Sequence, residues 1–169
     1  MEKKSKKFLV LTIVLSISLN LIFAINYFVE KQNKKIELIE AVESILNRIH
    51  YADSLLNDGD DSTSDYEKWI MLAAFEITKS RSLVDTHEKD LPPNLVSWIG
   101  DVELGLRSGA LEANESSFRR TAQNLKNFND GVEKEVQNLH NGKNHTEILK
   151  IVEDVLSSQE YMGNNYISK

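Results

Sequence analysis

The 169-residue chain has no cysteine, only two prolines and only seven glycines. Without cysteine there is no disulfide scaffold, thiolate metal site, cysteine nucleophile or thiol-linked lipid. So little proline and glycine excludes a collagenous chain and a Pro/Gly-rich linker. Three short signatures of chemistry are missing as well: the G-x-x-x-x-G-K-[ST] phosphate loop, the G-x-G-x-x-G dinucleotide turn and the G-x-S-x-G nucleophile elbow. Beyond residue 29 no stretch alternates apolar and polar residues with the period of two that a half-buried strand requires. Strands are not expected.

Basic residues are scarce in most of the chain. The total is 20 Lys+Arg against 26 Asp+Glu, a net charge of −6. Residues 1–29 carry Lys3, Lys4, Lys6 and Lys7 against Glu2, a net +3, which leaves −9 on residues 30–169. An acidic domain of that kind does not neutralise phosphates, so nucleic acid is not expected as a partner.

What the chain has is one long uncharged run. Residues 8–29, FLVLTIVLSISLNLIFAINYFV, hold no charged side chain among 22 positions. As a helix they reach about 33 Å, enough for a hydrocarbon core of about 30 Å. A cleaved signal peptide is the rival reading, since the flank EKKSKK suits one. Its apolar core would be shorter, and its best cleavage position, Ala24, has the bulky Ile22 two residues before it. The expectation is an uncleaved anchor in the lipid bilayer. A basic tail (1–7) then stays in the cytoplasm and the rest lies outside, in the sense that the Lys excess dictates. Within the run Thr12, Ser16, Asn20 and Ala24 are spaced four apart. They form a small and polar stripe on which another membrane helix could close, either a second copy or a partner's.

After the anchor, helical spacing takes over. Leu38, Val42, Ile45, Ile49, Ala52 and Leu56 recur at four and three, a heptad seam that Ile36, Ile39 and Leu55 widen. The segment NDGDDSTS (57–64) breaks it. Ser64 and Glu67 fit a capping box for a second helix running to near Glu88. Its WIMLAAF run (69–75) predicts a helix buried on more than one side. Leu91-Pro92-Pro93 separates it from a third helix with Leu95, Trp98, Ile99, Val102 and Leu106 on one face, closed by Ser108-Gly109. A fourth is expected from about Ala110 to His140, with Phe118, Leu125, Val132 and Leu139 seven apart and Gly131 marking a bend. Asn144 and Glu147 form another cap before a short last helix carrying Ile148, Leu149, Val152, Val155 and Leu156. Residues 161–169 read as a flexible tail. The fold class is all-α: one transmembrane helix, then a four- to five-helix antiparallel bundle over residues 30–160.

Chemical sites are weak throughout. An EF-hand beginning at Asp58 needs Gly at 63 and Glu at 69, where the chain has Thr63 and Trp69. His87-Glu88 lacks the second histidine of a zinc protease. No catalytic, cofactor or metal residue is assigned, and an enzyme is not expected. The function expected is that of an accessory or regulatory subunit binding another membrane or extracytoplasmic protein. The alternative is a sensor-like module holding a small ligand near Trp69, Phe75 and Trp98.

Overall fold

The computed structural model describes residues 2–58, 66–112, 115–138 and 145–163, except the side chains of 2–12, 14, 58, 66, 110–112, 115–117 and 145. Among the described residues there are six helices and no strand. They are α1 (Glu2–Asp58), α2 (Tyr66–Thr86), α3 (Pro93–Glu112), α4 (Glu115–Gln137), α5 (His145–Ser157) and α6 (Gln159–Met162). The chain divides into two compact units, Met1–Leu38 and Ile39–Lys169.

Where the sequence pattern predicts two helices, an anchor and a first bundle helix, there is one. No glycine or proline occurs before Gly59, so nothing between Val29 and Ile36 interrupts the backbone ladder. In the first unit the described side chains from Leu15 to Glu37 are all exposed. Among the described residues no helix is long and apolar enough to cross a membrane. Six residues of the uncharged run, 8–12 and 14, have side chains outside that description.

The second unit is a helical bundle whose core follows the expected stripes. Val42, Ile45, Ile49 and Ala52 of α1 are buried, as are Leu95, Trp98, Ile99, Val102 and Leu106 of α3. Phe118, Leu125, Phe128 and Val132 of α4 and Ile148, Val152, Val155 and Leu156 of α5 complete it. The Pro92 carbonyl accepts from the amides of Leu95 and Val96, which fixes the start of α3. α2 and α3 run antiparallel: Thr78 Oγ1 donates to Glu103 Oε1 at 2.8 Å and Arg81 donates to the Val96 carbonyl at 3.2 Å.

Several expectations need correction. The α1 seam does not end on Leu56, which is half-buried, but on Leu55, and Ile36 is exposed. A strict heptad drifts about 20° per repeat on a straight helix, so the buried line moves to a neighbouring residue. The WIMLAAF run is not buried on more than one side: Met71, Leu72 and Phe75 face outward while Ile70, Ala73 and Ala74 face the core. Ser108-Gly109 does not close α3, which continues to Glu112, and α4 begins at Glu115 rather than near Ala110. Glycine is there for space. A Cβ on Gly109 would lie 2.7 Å from Phe118 Cβ, and one on Gly105 would collide with Thr121 Oγ1. Gly131 lies within the continuous α4. A Cβ there would sit 2.9 Å from Val155 Cγ1 and 3.0 Å from the Tyr161 ring. Residues 161 and 162 are not tail: they belong to α6, where Met162 is buried and the Tyr161 hydroxyl donates to Glu135 Oε1 at 2.7 Å. Loop residues 59–65, the caps expected at Ser64 and Asn144, and residues 164–169 lie outside the described residues.

Candidate functional site

Two polar constellations flank α1 in the bundle. On the side toward α4, Asp53 is buried at 5 % exposure. Its Oδ2 accepts from Asn129 Nδ2 at 3.0 Å and its Oδ1 from Asn57 Nδ2 at 3.0 Å. Asn129 also meets His50 Nδ1, at 3.2 and 3.3 Å from its two side-chain atoms. His50, Asp53 and Asn57 stand three and four residues apart and so share one face of α1. Burial pushes the Asp53 carboxyl above the usual aspartate range. The Asn129 and Asn57 hydrogen bonds and the Lys126 charge oppose that rise, and Asp130 adds to it. A groove of about 280 Å³ opens beside this ladder, with His50, Asn129, Glu43 and Glu133 among its polar lining and Phe128 and Val136 among its apolar lining.

On the side toward α2, Glu76 collects two cations. Arg48 donates to Oε2 and Lys79 to Oε1, each at 2.7 Å, and the Glu76 side chain is only 13 % exposed. Burial works to raise the Glu76 carboxyl, but the hydrogen bonds and charges of Lys79 and Arg48 outweigh it and hold the group below the usual glutamate range. The adjoining groove, about 480 Å³, is lined by Glu40, Glu43, Asn47, Arg48 and Tyr51 as well as Glu76. Arg48 Nε is buried with no hydrogen-bond partner among the described residues.

Of the aromatic trio expected near a ligand, Trp98 is buried against Phe128, their ring centroids 4.3 Å apart. Phe75 lies on the outer face of α2, 57 % exposed, with Lys79 Nζ 4.1 Å from its ring centroid. Trp69 is half-buried, with Lys68 Nζ 5.8 Å from its ring. Core and surface thus claim different members, and the Phe128 ring, not Phe75, completes the Trp98 environment. Of the anchor stripe, Ser16, Asn20 and Ala24 are exposed on α1, and the Thr12 side chain lies outside the described residues.

Sequence reasoning missed the ladder. His50, Asp53 and Asn57 share a helix face in the sequence, but nothing marks Asn129 as their partner from 76 residues away. As chemistry, the ladder offers hydrogen bonds and one proton-binding carboxylate. Among the described residues no group of three or more His, Cys, Asp or Glu side chains converges as metal ligands. No protein family, curated protein or solved structure matches this chain.

Proposed function

We propose that the chain is a single-pass membrane protein, anchored by residues 8–29 with residues 1–7 in the cytoplasm. Residues 30–160 form an extracytoplasmic bundle, non-catalytic, that serves as an accessory or regulatory subunit of another protein at the outer face. One observation carries the anchor. Eleven large apolar side chains from Ile13 to Val29 are each at least 50 % exposed, on every side of the helix. A helix that is apolar all round belongs in hydrocarbon or in a protein core, and residues 8–29 add no charge to resist insertion. The orientation is supported by Lys3, Lys4, Lys6 and Lys7.

The face of α2 supports the interaction role. Met71, Leu72 and Phe75 are 65, 39 and 57 % exposed within five residues, whereas its inner face is packed. Contiguous apolar surface of this kind marks contact sites. The test has two arms. A reporter active only outside the cytoplasm, fused after Lys169, is expected to be active in a chain that resists extraction from membranes. A photo-crosslinker in place of Phe75 is expected to capture a protein that one in place of Asp154, on exposed α5 surface, does not. A soluble chain, or equal capture at both positions, refutes the reading.

A second reading, binding of a small ligand outside the cell, is favoured by the groove beside His50 and Asn129. A ligand there would raise the unfolding temperature of the chain and lose that effect on Val136→Trp, which fills the groove. Equal shifts in both chains would rule the groove out.

A further inference from the structure

The groove between α1 and α4 has an apolar floor and an acidic rim. Ile49, Phe128, Val132 and Ile148 are buried at its base, with Leu46 and Val136 half-buried beside them. Phe128 is packed against Trp98, which holds its ring in place. Glu43 of α1 and Glu133 of α4 are exposed on the rim, one from each wall. Asn47, His50 and Asn129 supply the remaining polar groups, and His50 and Asn129 are already joined to each other. Among the described residues no lysine or arginine lines the groove. Arg48 and Lys134, the bases nearest in sequence to the two carboxylates, are bound to Glu76 and Glu160. Glu133 accepts from the neutral Gln137 amide at 3.2 Å.

We infer, resting on the reading of this groove as a small-ligand site, that it takes a small organic ammonium: a positively charged nitrogen on a compact apolar body. Charge complementarity selects the head group. Two rim carboxylates accept N–H bonds from an ammonium, and such charge-assisted bonds are stronger than neutral ones. An anionic ligand meets the same carboxylates with like charge. A hard metal ion needs six or more oxygen ligands and leaves the apolar floor without a partner. The field of the domain acts in the same direction, since residues 30–169 carry −9 and so concentrate cations at the surface. Volume selects the body. A groove of about 280 Å³ is near the lower limit for small-molecule pockets, and at about 30 Å³ per water it holds about nine waters. That is room for about ten non-hydrogen atoms, one ring or a short alkyl chain with its amine.

Three probes that share one body and differ in the head make the test: 2-phenylethylammonium, 2-phenylethanol and 3-phenylpropionate. Each is titrated against the full-length chain at neutral pH, and the unfolding temperature is read. The ammonium is expected to raise it at the lowest concentration, the alcohol to need severalfold more, and the carboxylate to leave it unchanged. Glu43→Gln and Glu133→Gln are each expected to weaken ammonium binding about two- to fivefold while the response to the alcohol stays the same. Asp154→Asn, at an exposed acid outside the groove, is expected to change neither. An equal response to the ammonium and either other probe, or Glu→Gln variants that bind the ammonium like wild type, overturns the ammonium and leaves the groove standing. A response that persists in Val136→Trp, or no response to any probe, overturns the groove reading itself.

Discussion

Asn129 of α4 donates its side-chain amide to Asp53 of α1 at 3.0 Å, joining residues 76 apart through a carboxylate that is almost wholly buried. Replacing Asp53 with alanine removes the carboxylate that accepts from both the Asn129 and the Asn57 amides and should cost about 1–3 kcal/mol. The pH dependence follows from the raised carboxyl. Its folded value lies above its unfolded one, so the folded state takes up the proton first. The stability this contributes is fully present below the ordinary aspartate value and is lost as pH rises through the folded value. The gap between wild type and Asp53→Ala should therefore widen on mild acidification. Urea unfolding at a series of pH values measures it, and a gap that narrows as pH falls would contradict this assignment.

Glu76 titrates in the opposite sense. Its folded value lies below its unfolded one, so its contribution is present above the ordinary glutamate value and is lost as pH falls through the folded value. Glu76→Gln leaves Arg48 without its charged acceptor and should cost about 1–2 kcal/mol at neutral pH. That cost should shrink on acidification. A cost independent of pH would mean that the Arg48–Glu76–Lys79 group stabilises nothing through its charge.

Gly131 is the point where α4 admits α5 and α6. Alanine is ordinarily about 1 kcal/mol better than glycine in a helix, but the contacts to Val155 and Tyr161 reverse the sign. Gly131→Ala should destabilise by about 1–3 kcal/mol through overpacking. Gly131→Ala combined with Tyr161→Ala should recover part of that loss. A stabilised Gly131→Ala variant would show that the helices separate easily.

Residues 30–169, produced without what precedes them, should be strongly helical and unfold cooperatively in denaturant. Ile45 is 1 % exposed, so Ile45→Asp puts an unpaired charge into the core and should remove about 4 kcal/mol or more. A fragment disordered by circular dichroism would contradict an independent bundle. Equal midpoints for the two chains would contradict the burial of Ile45.

How far the sequence reads depends on whether a property is local. The stripe Val42–Ile45–Ile49 is legible because burial on one side repeats every turn, and the Pro92-Pro93 boundary because proline forbids the ladder there. Phe75 was not legible as a surface residue. Apolarity reports what a side chain avoids, while exposure depends on whether another helix arrives to cover it. Gly109 reads in sequence as a helix end and Gly131 as a bend, because glycine shows what is missing, never which neighbour needs the room. Asp53 carries no period at all, and its partner Asn129 is supplied by the packing of α4 against α1.

The seating of α6 decides when the bundle is sealed. Gly131 leaves a slot on α4 that Val155 of α5 and the Tyr161 ring of α6 fill together, so α4 is covered there once both helices have docked. Whenever α6 lifts away, Val155 and that flank of α4 are open to whatever is near.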